Sequence, residues 1–148
     1  MYINNALAKT EAVENGYDEA IMLSPDGHVS EGSGENIFLV IDGKLHTPAT
    51  YNNILVGITR DTVMQLAKHE LGIETIERSI DRAELYSSQE CFLTGTAAHL
   101  TPVSEIDHRP LGDGLVGPVT TKLKKLYFDA IQGKLPKYMD WCTPVYKK

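Results

Sequence analysis

The stretch Ser30-Glu31-Gly32-Ser33-Gly34-Glu35-Asn36 places two carboxylates and two glycines between segments that read as strands. Upstream, Glu19-Ala20-Ile21-Met22-Leu23 leads to the turn signal Pro25-Asp26-Gly27. Downstream, Ile37-Phe38-Leu39-Val40-Ile41 is a continuous apolar run, which predicts a buried strand. Glycines so placed let the backbone take conformations that a side chain forbids, or let a ligand come close to it. An ordinary loop is the alternative. The dinucleotide fingerprint is not met, because Glu35-Asn36-Ile37 follows Gly32-Ser33-Gly34 where a third glycine is needed.

Working outward, Asp42-Gly43 turns the apolar run into Lys44-Leu45-His46, a hairpin signal. Thr47-Pro48 reads as the opening of a loop that reaches Leu55-Val56-Gly57-Ile58-Thr59-Arg60. Val63, Leu66, Ala67 and Leu71 then mark one helix face, with Gly72 as its stop. The free amides at Gly57, Ile58 and Thr59, with the Thr59 hydroxyl beside them, suit a phosphate. The alternative is that Thr59 is only a helix cap. Toward the N-terminus, Ile3, Ala6, Leu7 and Val13 share a helix face that Gly16 ends.

In the second half, Ile73 to Arg78 and Glu90-Cys91-Phe92-Leu93-Thr94 read as strands. Between them, Asp81 and Glu84 resemble a capping box for a short helix through Tyr86. Gly95-Thr96-Ala97-Ala98 leaves amides and a hydroxyl open to an anion such as a carboxylate, with a tight strand-to-loop corner as the alternative. Thr101-Pro102-Val103 is extended, and Asp107 to Gly114 is a glycine-bearing hairpin region. Gly117-Pro118 starts a last helix with Val119, Leu123, Leu126 and Ala130 on its apolar face, and Lys122, Lys124 and Lys125 on a solvated one. Gly133 and Pro136 close it, and the tail Met139-Asp140-Trp141-Cys142 is expected to pack back onto the domain.

The chain of 148 residues is long enough for one domain with a real core. Its 42% apolar and 23% charged residues fall in the globular range. A net charge of -6 argues against nucleic acid or an anionic membrane as partner. No apolar run is long enough to span a bilayer. Cys91 and Cys142 have neither metal nor redox spacing, which reads as a reduced, cytoplasmic protein. The five histidines, His28, His46, His69, His99 and His108, are scattered, so no metal site is expected.

A carboxylate in a glycine-rich turn, a phosphate-ready helix start and a carboxylate-ready corner together suit a cofactor with a basic ring nitrogen and a phosphate, plus an amino acid. Pyridoxal phosphate is one such cofactor among several possibilities. Ser30 to Asn36, Leu55 to Arg60, Thr94-Gly95-Thr96-Ala97 and Gly117-Pro118-Val119-Thr120 stand in an order and spacing that resembles the fold-type IV pyridoxal-phosphate aminotransferases. The likeness is greatest to the branched-chain amino-acid aminotransferases and runs from Tyr2 to the Trp141 region.

The resemblance implies an α/β fold, a curved mixed sheet or pseudo-barrel with flanking helices. It implies that Glu31 pairs with the protonated pyridine nitrogen, and that Gly34 and Glu35 form the turn beside it. Gly57, Ile58 and Thr59 match the phosphate cradle, and Leu55 the residue against the ring. Thr96 matches a phosphate contact and, with Ala97, a contact to the substrate carboxylate; Tyr2 matches a tyrosine near the cofactor hydroxyl. The Schiff-base lysine of the family belongs a few residues before Tyr2, so no catalytic residue is assigned within these 148 residues, and Lys9 lies more than a turn along the helix.

The expectation is therefore a single domain, residues 1–148, corresponding to the C-terminal pyridoxal-phosphate-binding domain of a longer enzyme, without the N-terminal domain and its lysine. The parent would move an amino group between Leu, Ile or Val and 2-oxoglutarate, as a homo-oligomer. The chain alone would be inactive, binding the cofactor noncovalently at best. A D-amino-acid aminotransferase or aminodeoxychorismate lyase is the alternative within the chemistry. A non-catalytic ligand-binding or subunit-interaction module is the alternative outside it.

Overall fold

The computed structural model describes residues 2–146. The side chain of Tyr2, and the expectation placed on it, lie outside what is described. Helix α1 (Tyr2–Glu14) ends at Gly16, whose φ of 84° is open to glycine without a Cβ penalty. Strands β1 (Ile21–Leu23) and β2 (Val29–Gly32) form an antiparallel hairpin.

Strand β3 (Asn36–Ile41) turns through Asp42 and Gly43, at φ 51° and 72°, into β4 (Lys44–Pro48). Two left-handed residues in succession match the right-handed twist of the flanking strands. Helix α2 (Ile58–Leu71) then crosses over and returns the chain as β5 (Thr75–Arg78), parallel to β4. A four-residue helix α3 (Glu84–Ser87) precedes the antiparallel pair β6 (Glu90–Gly95) and β7 (His99–Val103). A small hairpin, β8 (Glu105–Ile106) and β9 (Arg109–Pro110), leads to α4 (Pro118–Ile131).

The main sheet has the order β5-β4-β3-β6-β7, so β3 is central and the sheet is mixed. It has two edges and does not close into a barrel among the described strands. On one face Phe38, Val40, Leu45 and Phe92 pack against Val63, Leu66 and Ala67 of α2 and Leu123, Tyr127 and Ala130 of α4. On the other, Ile37, Leu39, Cys91 and Leu93 pack against Val29, Ile80, Leu85 and Ile106. Burial on both faces is why β3 reads as an unbroken apolar run and does not alternate. No described helix is long and apolar enough to cross a membrane.

Three expectations are corrected. Thr47-Pro48 belongs to β4, with Pro48 opposite Arg78 of β5. The β3–β4 ladder reaches only Leu39 and His46, and beyond it the Thr47 hydroxyl donates to the Ile37 carbonyl (2.8 Å). A proline there interrupts no ladder bond to β3. The capping box is half formed: the Asp81 amide donates to Glu84 Oε1 (2.8 Å), while the Asp81 carboxylate faces His28. In the tail Tyr138 is the residue that packs inward, its ring tilted at 43° against Trp141 with centroids 4.4 Å apart; Met139 and Trp141 stay nearly half exposed.

Candidate functional site

Three of the four motifs meet at the Asn36 end of β3, while Gly117 to Thr120 lies at the opposite end of the strand, against Glu90. Glu31, half-buried in β2, accepts a hydrogen bond from the Leu55 amide at Oε2 (2.8 Å). The side-chain amide of Asn36 donates to the same Oε2 (3.3 Å) and to the Leu55 carbonyl (2.7 Å). Both protein donors fall on one carboxylate oxygen, and Oε1 has none among the described residues. Burial pushes the Glu31 carboxyl above its ordinary range, and the Leu55 amide only partly offsets this. No cation among the described residues lies against it. Glu31 also lines a cleft of about 400 Å³ with Asn4, Asn5, Met22, Ser30 and Asn53.

The glycine turn is held by Glu35. Its backbone carbonyl accepts the Gly32 amide (2.6 Å), and its carboxylate accepts the Gly34 amide (3.0 Å). Glu35 thus caps an amide of its own turn. Burial, with the Glu19 carboxyl nearby, keeps Glu35 above its usual range. Glu19 is in turn paired with Lys9 (2.9 Å), which also donates to the Asp18 carbonyl, and Asn5 donates to the Ser33 carbonyl (2.9 Å). Helix α1 is thereby tied to the turn. Across the sheet, a Cβ on Gly95 would sit 3.4 Å from the Glu35 Cγ, so the turn abuts the end of β6.

The start of α2 is a second element of the site. Gly57 is its N-cap, extended at φ -74°, and no side chain caps the helix. Thr59 lies inside the first turn and is buried, so it is not the cap. The first-turn amides therefore have no partner from a cap side chain, at the positive end of the helix dipole. Gly57 leaves no room for a side chain, because a Cβ would collide with Asn36 Oδ1. Leu55, Val56 and Ile58 are 64%, 65% and 86% exposed, which leaves this approach open on its outer side. Thr96 and Ala97 stand exposed in the turn that joins β6 to β7, directly after Gly95.

Sequence reasoning missed four polar residues here. Asn36, the last residue of the glycine-rich motif, binds both Glu31 and the Leu55 carbonyl. Thr94 is 1% exposed, sits opposite Asn36 across the ladder, and its hydroxyl has no partner among the described residues. Arg60 is buried and ties α2 to β4 and β5 through the Pro48 carbonyl (3.1 Å) and Glu77 (2.6 Å). Glu90 is buried at the far end of the sheet and caps α4, accepting from the amides of Val119 (3.0 Å) and Thr120 (2.7 Å) and from the Thr120 hydroxyl (2.7 Å). The only signal for each was a polar residue at the margin of an apolar run. No group of three His, Cys, Asp or Glu side chains among the described residues is arranged to hold a metal ion.

A carboxylate awaiting a cation beside an uncapped helix start is the arrangement expected of the family named by the motifs, and the amino-transferase class IV family model matches residues 1–106. The chain belongs to that family. It is 56% identical over 147 residues to the probable branched-chain-amino-acid aminotransferase of Aquifex aeolicus, covering 99% of this chain and 47% of that protein. It is 50% identical to the branched-chain-amino-acid aminotransferase of Pseudomonas aeruginosa, over 97% of this chain and 46% of the relative. The crystal structure of the Thermobaculum terrenum branched-chain amino acid aminotransferase in its PLP-form superposes with a TM-score of 0.96 at 45% identity, covering 99% of this chain and 48% of that one. The branched-chain aminotransferase of the archaeon Thermoproteus uzoniensis with norvaline gives 0.93 at 51% identity, over 98% and 48%. The chain spans about half the length of the curated relatives it matches.

Proposed function

We propose that this chain is the cofactor-binding domain of a branched-chain-amino-acid aminotransferase, holding pyridoxal 5'-phosphate and an amino-acid substrate. The observation that carries the reading is Glu31. Its carboxylate is half-buried, oriented through Oε2 by two donors of its own chain, free at Oε1, and without a cation among the described residues. Such a carboxylate is costly unless a cation meets it. A protonated ring nitrogen supplies that cation, so the donor set fits the cofactor.

When bound, the cofactor supplies an electron-withdrawing ring that stabilises negative charge at the substrate α-carbon. Glu31 keeps the proton on the ring nitrogen. The amides of Ile58 and Thr59 and the Thr59 hydroxyl take phosphate oxygens, and Gly57 lets the chain pass close to Asn36 before them. Leu55 offers its exposed side chain to the ring face. Thr96 reaches the phosphate and, with Ala97, the substrate carboxylate, and the Tyr2 hydroxyl serves the cofactor hydroxyl. Gly34 and Glu35 fix the turn beside the ring.

The substrates we assign are Leu, Ile or Val with 2-oxoglutarate, as the names of the relatives support. The apolar side chains left open on α1 (Ile3 and Leu7) and around the start of α2 (Val56 and Ile58) are assigned to contact with the other half of the relatives' length. Assembly as a homo-oligomer and a cytoplasmic location belong to the same reading, the latter supported by two unpaired cysteines. The first lysine of the chain, Lys9, is engaged by Glu19 and the Asp18 carbonyl, which supports the reading that these 148 residues do not transaminate alone.

The test is titration of the 148-residue chain with pyridoxal 5'-phosphate, followed by dialysis and an assay with leucine and 2-oxoglutarate. Saturable binding that dialysis reverses, without turnover, is expected. Turnover would place the reactive lysine within the chain, and the lack of any saturable binding would overturn the assignment.

A further inference from the structure

We infer that Asn36 is a positioning residue: its side-chain amide clasps Glu31 and the Leu55–Gly57 segment into one unit, so that the ring-pairing carboxylate and the phosphate-binding helix start move together. The inference rests on the cofactor reading above for its meaning in catalysis, while the clasp itself belongs to this chain.

The geometry is closed on three sides. Asn36 Nδ2 donates to the Leu55 carbonyl (2.7 Å) and to Glu31 Oε2 (3.3 Å). The Leu55 amide returns a bond to that same Oε2 (2.8 Å). Asn36 Oδ1 lies against the Gly57 Cα, so close that an alanine there would collide with it. Asn36 is 5% exposed and opens the central strand of the sheet, opposite Thr94, so its own position is set by the core. A rigid strand thus holds two segments that the sequence separates by more than twenty positions, Glu31 in β2 and Leu55 before α2.

Two consequences are chemical. Saturating Oε2 from within the protein fixes which carboxylate oxygen, Oε1, is presented to a ligand. An N–H donated to a carboxylate favours its charged form, so the Asn36 contact acts in the same direction as the Leu55 amide on Glu31. The donor is what matters, not the volume. An aspartate at position 36 has the same shape but turns an acceptor toward two acceptors, the Leu55 carbonyl and Glu31.

The test reads the unliganded 148-residue chain and its N36D, N36A and G57A variants. The Glu31 carboxyl is titrated by carbon NMR, and exchange of the Leu55 amide is followed in the same samples. All three variants are expected to raise the Glu31 midpoint, N36D the most, and to speed Leu55 exchange about tenfold, the effect of losing one such bond. G57A leaves Asn36 in place and presses on the same contact, so adding it to N36A should change little more. Wild-type midpoint and exchange in folded N36D would overturn the clasp, since only packing would remain. The same holds for G57A and N36A effects that simply add. Pyridoxal 5'-phosphate is then titrated into each chain, with affinity expected to fall in the variants. If the wild-type chain fails to bind it while the unliganded signals shift as described, the cofactor reading fails and the clasp stands.

Discussion

Replacing Glu31 by glutamine separates charge from shape at the centre of the proposed site. The variant keeps an oxygen where Leu55 and Asn36 donate, so folding should be unaffected and the thermal midpoint should move by no more than about 2 °C. What is lost is the attraction between a carboxylate and a ring cation. Two unit charges about 4 Å apart at an effective dielectric of about 20 attract by about 4 kcal/mol. Glu31 is only half-buried, and water screens about half of that. About 2 kcal/mol remains, or about thirtyfold in affinity for pyridoxal 5'-phosphate. The assay is equilibrium titration of cofactor into both chains at neutral pH. The wild-type advantage should fade in acid as the carboxyl protonates, and because burial raises the Glu31 value, the fading should begin above the ordinary glutamate range. Equal affinity of the two chains at neutral pH, or a gap indifferent to pH, would refute the pairing and leave Glu31 as a residue that only fixes Leu55.

Glu90→Gln should lower stability by about 2 kcal/mol in urea unfolding, because three donors at the start of α4 converge on a buried carboxylate. Gly117→Ala should cost about 1–3 kcal/mol in the same measurement, since a Cβ there would run into the Glu90 side chain. Glu84 is held below its usual range chiefly by the Arg78 guanidinium, with the Asp81 amide adding to it. A depressed value means that the stabilisation is present above the unfolded-state value and is lost as pH falls through the folded-state value. The urea midpoint of wild type should therefore exceed that of Glu84→Gln near neutrality, and the gap should close only in acid below the ordinary glutamate range.

The elements that were legible in the sequence are those whose cause is local. Asp42-Gly43 announces its turn because both residues must sit at positive φ, and Ile37 to Ile41 announces a central strand because both its faces are covered. Glu31 and the Gly57 to Thr59 amides were read for the same reason, each being a short motif with its own chemistry. Asn36, Thr94, Arg60 and Glu90 were not read as site or capping residues. Their roles depend on which strands become neighbours: Glu90 caps a helix 28 positions later only because β6 begins under it. Pro48 misled because proline excludes a strand only where its missing amide is needed, and here a threonine hydroxyl had already closed the ladder. Ile3 and Leu7 fall on the apolar helix face that the sequence marks, yet both stand exposed, because periodicity reports that a face is apolar and not what covers it.

The central place of β3 sets a schedule for the growing chain on the ribosome. Its partner β4 follows after two residues, so one side of β3 can pair at once. The other side waits for β6, where Val40 meets Glu90, fifty positions later. At a synthesis rate of about 5–20 residues per second, that is an interval of about 3 to 10 s. For that time the strand with the longest apolar run in the chain has one unpaired edge, open to the corresponding strand of a neighbouring nascent chain. The step that ends the exposure is the arrival of β6, which brings Phe92 onto Phe38 with ring centroids 5.1 Å apart. Conditions that slow translation between Gly43 and Glu90 should therefore raise the aggregated fraction, whereas pauses after Gly95 should leave the yield of folded chain unchanged.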